Sequence, residues 1–273
     1  MIWLRGEIVA DQALTISVLD RTFEHGLGLF ETFRTWNGRA TLLSRHLDRL
    51  RSSAQVLGLP LDPTSLPDEA AVHALLRAEG REGDARLRMT LSGGLSADSA
   101  GTLWMRAYPL TQPAEAGIVL GRGWPARSDP LAGHKTLNYW ANRLMFEDAQ
   151  EHGFHECVTV TPDGNVWECS RSNLFAVVEG DVLTPPCEGR VLPGIMRGLI
   201  LEQGPRLGFS VREATIGILD PLFRPEEMFV TNSVRGLTPV RRWGDAQFPA
   251  PGPVCRQLWD GLRAWLEAGG MTK

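Results

Sequence analysis

Lysine is nearly absent from this chain. Of its 28 basic residues, 26 are arginine, and the only lysines are Lys135 and Lys273. Arginine serves well in ion pairs but holds its proton too tightly to act as an amine nucleophile or to form a stable imine. One internal lysine in an arginine-rich chain has two readings at this point: an amine required at position 135, or base composition with one chance survivor. Cysteine is scarce as well. Cys157, Cys169, Cys187 and Cys255 form no C-x-x-C and no framework spacing, so isolated thiols in a reducing compartment are expected. His152 and His155 make an H-x-x-H, but no cluster of Cys, Asp or Glu completes a ligand set, and no metal is expected. There is no basic run. The net charge of −4 and pI near 5.9 argue against nucleic acid or an anionic membrane as partner. No apolar stretch approaches the ~18 residues of a membrane span. The apolar run in the N-terminal MIWLRGEIVADQ is too short for a signal sequence, so a cytoplasmic location is expected.

What is present is an ordinary globular mixture, 43% hydrophobic and 22% charged, in 273 residues. That length is long for one core and suggests two domains. The polar, proline-containing stretch 110–117 suggests a linker at 113–117, between a domain at 1–112 and another at 118–273. Alternation predicts strands at 2–9 around Gly6 and at 29–36, with Asn37-Gly38 as a hairpin turn. Ser44 is expected to cap a helix reaching about 57, with His46, Leu47, Leu50 and Ala54 at helical spacing. A helix near 67–79 and strands near 85–92 and 103–109 follow. Beyond the linker, strands are expected near 118–122, 155–161, 165–168, 173–178, 209–215 and 228–232. Helices are expected at 138–152, from Gly194, and at 253–267. Strands and helices mix without a regular βαβ repeat, which favours an α+β arrangement.

Several segments carry recognisable patterns. Asp20-Arg21 leads to Gly26-Leu27-Gly28-Leu29-Phe30-Glu31-Thr32, and His46-Leu47-Asp48-Arg49-Leu50 lies on the expected helix. Gly133-His134-Lys135-Thr136-Leu137-Asn138-Tyr139 surrounds the internal lysine. Glu168-Cys169-Ser170-Arg171-Ser172-Asn173-Leu174-Phe175 runs on to Val182-Leu183-Thr184 and Leu192-Pro193-Gly194-Ile195-Met196-Arg197. A last segment runs from Phe229-Val230-Thr231-Asn232-Ser233 to Thr238-Pro239-Val240. Together they resemble the class IV aminotransferases, the fold type IV pyridoxal-phosphate family. That family includes branched-chain and D-amino-acid aminotransferases and aminodeoxychorismate lyases. The resemblance covers about residues 1–242, with Thr22 and Leu27 standing where the family has Gly and Asp.

The resemblance implies a two-domain fold type IV enzyme, with a small N-terminal α/β domain and a larger C-terminal domain built on a pseudo-barrel sheet. It implies pyridoxal 5′-phosphate as cofactor, Lys135 as its Schiff-base and catalytic residue, and a homodimer. Glu168 stands at the position that faces the ring nitrogen, where a carboxylate favours the protonated ring. Arg49 stands at the phosphate position. The Ile195 and Met196 N–H groups, at a helix start, suit the same anion, and Ser233 adds a hydroxyl. Leu192 matches the apolar residue that packs on the ring, and Tyr139 and Asn138 follow the lysine at cofactor-contacting offsets. Phe30, Val234 and Arg235 are expected on the substrate side. Small-molecule amino acids and 2-oxo acids are the implied partners.

Which reaction follows is less legible. The loop 93–102 has neither Arg nor His, unlike D-selective enzymes that carry an Arg-x-His pair. The Lys-Thr-Leu-Asn run and the short chain look more like the lyase and D-enzyme branches. Amino transfer between an amino acid and a 2-oxo acid is the first expectation. Aminodeoxychorismate lyase, with the same lysine and cofactor, is the alternative, and a non-catalytic cofactor carrier comes third.

Overall fold

The computed structural model describes residues 1–81, 83–110, 116–126, 128–268 and 270; residues 113–115 of the expected linker lie outside them. Two compact units are formed, chiefly Met1–Thr111 with His134–Asn138, and Gln112–Gly133 with Tyr139–Ala268.

The first unit contains β1 (Ile2–Leu4), β2 (Glu7–Val9), α1 (Arg21–His25), β3 (Gly28–Trp36), β4 (Arg39–Ala40), α2 (Leu43–Val56), α3 (Glu69–Ala78), β5 (Ala85–Ser92) and β6 (Leu103–Pro109). The strands form one antiparallel sheet in the order β2-β1-β6-β5-β3-β4. Asn37 and Gly38 turn β3 into β4 with φ of 50° and 77°, the positive pair that a tight hairpin requires. Side chains alternate along each strand. Leu29 and Phe33 of β3, Leu87, Met89 and Leu91 of β5, and Leu103 and Met105 of β6 join the core with Leu47 and Leu50 of α2 and Val72, Leu75 and Leu76 of α3.

The start of α2 corrects the sequence expectation. Ser44 is not its cap: the helix begins at Leu43, after Leu42 in a left-handed conformation, with no side-chain cap. Leu42 and Leu43 are both buried. Burying two leucines gains roughly 1.5–3 kcal/mol each, more than the ~1 kcal/mol of a serine cap.

The second unit contains β7 (Ile118–Pro125), α4 (Trp140–Glu151), β8 (Glu156–Val160), β9 (Asn165–Cys169), β10 (Asn173–Val178), β11 (Asp181–Thr184), α5 (Ile195–Gln203), β12 (Val211–Glu213), β13 (Ile216–Gly217), β14 (Glu227–Asn232), β15 (Gly236–Trp243), β16 (Ala246–Gln247) and α6 (Pro253–Glu267). Its sheet runs β12-β11-β10-β14-β15-β7-β8-β9-β13. A further pairing of Asn173 with Glu168 joins β10 to β9, so six strands close into a ring. Apolar side chains of those strands fill it, among them Ile118, Leu120, Val158, Leu174, Met228, Val230 and Val240. The mixed α and β architecture is the one expected.

Two differences from the sequence reading have local causes. No strand was expected at 236–243, where Pro239 removes a backbone donor. β15 tolerates it because its pairing with β7 begins only at Val240. The strand expected near 209–215 is only Val211–Glu213, β12 paired to β11, and β13 follows beyond it at Ile216–Gly217, paired to β9.

Candidate active site

Lys135 belongs to the first unit, although it lies far along the chain from β3. β4 covers only Thr35 and Trp36, so another edge segment can pair at the beginning of β3. Residues 135–137 do so. Phe30 N–H donates to the Lys135 carbonyl at 2.9 Å, Leu137 N–H donates to the Gly28 carbonyl at 3.0 Å, and Leu29 bridges Thr136. His134 Nδ1 lies 3.0 Å from Ser53 Oγ on α2, which ties down the approach to the lysine. The half-buried Lys135 ammonium then sits 4.5 Å from the centre of the Phe30 ring. Asn138 lies against Gly26, which ends α1 at φ 68°; a Cβ there would stand 2.4 Å from Asn138 Oδ1. The left-handed turn and the contact both call for glycine.

Arg49 is on α2, on the same helical face as His46 and Ser53. Its Nε donates to Glu31 Oε1 at 2.8 Å and its Nη2 to Glu31 Oε2 at 2.7 Å, a two-point pair. His46 Nδ1 meets Glu31 Oε2 at 2.6 Å. Burial pushes the Glu31 carboxyl upward, but the Arg49 charge and the His46 imidazole, each with a hydrogen bond, outweigh it and hold the pKa at about 2. Burial lowers the pKa of His46; Glu31 opposes that shift, and the charges of Arg49 and Lys135 add to it.

The second unit gathers another set. Glu168 is the next-to-last residue of β9 and accepts the Leu192 N–H at 2.9 Å. Asn173 Nδ2 donates to the Leu192 carbonyl at 2.9 Å and lies 3.5 Å from Glu168 Oε2. A Cβ at Gly194 would fall 1.9 Å from Asn173 Oδ1, so only glycine lets the start of α5 come this close. α5 has no side-chain cap, and its first turn closes with Gly198 N–H on the Gly194 carbonyl. The N–H groups of Ile195 and Met196 precede that bond, at the positive end of the helix dipole. Glu168, Leu192 and Ile195 are thus brought together by one asparagine.

Ser233, Val234 and Arg235 form the turn between β14 and β15. Asn232 Oδ1 accepts the N–H groups of Val234 and Arg235 at 3.0 and 2.8 Å, while its Nδ2 donates to Ser172 Oγ at 3.1 Å. Ser172 in turn donates to the buried Glu156 at 3.2 Å, and Ser170 donates to the same carboxylate. Tyr139 is half-buried at the N-cap of α4, in the second unit. The thiols of Cys157 and Cys255 are pushed up to about 12 by burial, which leaves them protonated at neutral pH.

Sequence reasoning did not single out Glu31, His46, Glu156, Asn173 or Asn232. Glu31 carried a signal, a carboxylate on the inward beat of a strand between Leu29 and Phe33. So did His46, an imidazole at core spacing on a helix. Glu156 carried none, since its partners are Ser170, Arg171 and Ser172, up to 16 residues away.

Residues 28–243 match the family model for amino-transferase class IV. The chain is 26% identical over 279 residues to the branched-chain-amino-acid aminotransferase of Escherichia coli K12, covering 94% of this chain and 90% of that protein. It is 26% identical over 258 residues to the aminodeoxychorismate lyase of Bacillus subtilis 168, covering 89% and 86%. The crystal structure of an E. coli branched-chain aminotransferase shares the fold, with a TM-score of 0.85 at 24% identity over 100% of this chain and 95% of that one. The chain belongs to the class IV aminotransferases and is an enzyme of fold type IV.

Proposed function

We propose that this enzyme uses pyridoxal 5′-phosphate to move an amino group between an amino acid and a 2-oxo acid, with Lys135 as the covalent and proton-moving residue. The observation that carries this is the seat of Lys135. It is the single lysine among the described residues, held by backbone pairing to β3 and set over Phe30.

The donor set fits the cofactor. A phosphate monoester needs N–H and cationic donors, and the uncapped start of α5 offers the N–H groups of Ile195 and Met196, close to glycine. Arg49 adds a guanidinium and Ser233 a hydroxyl. Glu168 is a half-buried carboxylate held in place by a backbone N–H, suited to keep a proton on a pyridine nitrogen. Leu192 is its apolar neighbour for the ring face. When bound, pyridoxal phosphate would supply an aldehyde for amines and a ring that draws electrons from the substrate α-carbon.

Lys135 Nζ would take the proton from the substrate α-carbon and return it, on the same side, to the carbon that carried the cofactor's aldehyde. Asn138 and Tyr139 orient the cofactor. Phe30, Val234 and Arg235 meet the substrate, with the Arg235 backbone fixed through Asn232. A homodimer is part of the proposal, checked by light scattering after gel filtration.

A second reading, aminodeoxychorismate lyase, is favoured by the B. subtilis relative, which is also 26% identical, over a somewhat shorter span. The test is to record visible spectra with a panel of L- and D-amino acids, and then turnover with and without a 2-oxo acid. Turnover that requires the 2-oxo acid supports transfer. Pyruvate released from aminodeoxychorismate without an acceptor supports the lyase. A yellow protein that answers to neither contradicts both.

A further inference from the structure

Three ionisable side chains meet beside the apolar core of the first unit. Glu31 and His46 are sealed, each with its side chain 1% exposed, while the Arg49 side chain is 11% exposed. Their neighbours on the strand and helix are Leu29, Phe33, Leu47 and Leu50, all in the core. Stability alone does not account for the set. A buried ion pair roughly breaks even against well-packed apolar residues of the same volume, because desolvation offsets attraction. His46 adds a further cost, since its Nε2 is buried and has no hydrogen-bond partner.

What the set gains is direction. A guanidinium is a planar fork, and a carboxylate that takes Nε and Nη2 together fixes both its plane and its rotation. The Nη1 edge is then aimed by Glu31. His46 fixes Glu31 in the same way, because its Nδ1 reaches the oxygen that also receives Nη2. The hydrogen bonds run from a sealed imidazole, through a sealed carboxylate, to the one member that reaches the surface. Glu31 also cancels the Arg49 charge, so long-range attraction for an anion is given up and fixed orientation is kept.

We propose that Glu31 and His46 are positioning residues that lock Arg49 in the orientation in which it grips the phosphate of a phosphate-monoester cofactor. This rests on the reading of Arg49 given above. His46 acts as a neutral donor through Nδ1, and its Nε2 has no part in the role. Asparagine, whose amide nitrogen stands where Nδ1 does, therefore replaces it, and phenylalanine does not.

The experiment measures dissociation constants of the purified protein for pyridoxal 5′-phosphate and for pyridoxal, which lacks the phosphate, by absorbance titration. Wild type is compared with Glu31→Gln, His46→Phe, His46→Asn and Arg49→Leu, each checked for native circular dichroism. The expected result is that Glu31→Gln and His46→Phe weaken the phosphate form at least tenfold and pyridoxal less than twofold. His46→Asn stays within about threefold of wild type for both. The 31P resonance of the bound cofactor shifts in Glu31→Gln and His46→Phe but not in His46→Asn. Equal weakening of both ligands would mean a purely structural role and would overturn the proposal. Should Glu31→Gln fail to fold, the two His46 variants decide alone: equal behaviour of Asn and Phe overturns it. An unchanged phosphate preference in Arg49→Leu would remove the phosphate role of Arg49 itself, and this inference with it.

Discussion

The two units fix their candidate chemical groups by opposite means. In the first, Lys135 is set against β3 by hydrogen bonds to Gly28 and Phe30, more than a hundred positions back in the chain. In the second, Glu168 is held by Asn173 and Leu192, no more than 24 residues away, in a hairpin that also closes the strand ring. A long-range seat depends on the whole unit being folded. A local seat depends on a few side chains and one glycine. Substitutions should therefore act differently in the two places.

The largest effect is expected at the lysine. Lys135→Ala should lose turnover by at least ~10³-fold, measured as kcat/KM, since no other described residue supplies an amine side chain. Thermal stability should change little, because the backbone pairing of 135–137 does not use the side chain. A large fall in Tm would mean that Lys135 serves the fold.

Next in size is an acid effect in the first unit. Glu31 is held at about 2 against an ordinary 4.5, so the unfolded chain binds a proton first as the pH falls. The stabilisation is complete above about pH 4.5 and is lost on the way down to about 2. It amounts to about 3 kcal/mol. His46, lowered from 6.5, acts in the same direction, because unfolded imidazole takes up a proton while the buried one stays neutral. Denaturant melts from pH 7 to pH 2 should show wild type losing stability faster than Glu31→Gln below 4.5. Parallel curves would mean that the pair is not ionised as described.

Smaller effects probe the local clamp and the long-range seat. Gly194→Ala puts a Cβ at 1.9 Å from Asn173 Oδ1 and should cost roughly 2 kcal/mol by urea melting, with cofactor uptake falling as the start of α5 is displaced. Leu137→Pro removes one N–H donor to Gly28 and should cost about 1 kcal/mol by the same method. Its cofactor uptake should fall more than its stability suggests, because the lysine loses its register. Equal behaviour of the two variants would erase the distinction between the seats.

The sequence made some of this legible, for physical reasons. The Asn-Gly turn, the strands 85–92 and 103–109 and the final helix at 253–267 follow from local alternation, turn chemistry and helical period. Glu168 and Ile195 were named from their resemblance to family motifs, and the groups that hold them lie close in sequence. The pairing of 135–137 with 28–30 was not legible, because no local pattern records a contact over that distance. The helix start at Leu43 and the strand through Pro239 were missed because burial and sheet geometry overrode the local preferences of Ser44 and proline. Glu31 and His46 lay within recognised motifs, yet their joint hold on Arg49 needed coordinates.

The most direct test of the central claim uses the scarcity of lysine. The protein is loaded with pyridoxal 5′-phosphate, reduced with borohydride, digested and mapped by mass spectrometry. The account predicts one phosphopyridoxyl adduct, on the peptide containing Lys135. An adduct on Lys273, or none on a protein saturated with cofactor, would contradict it.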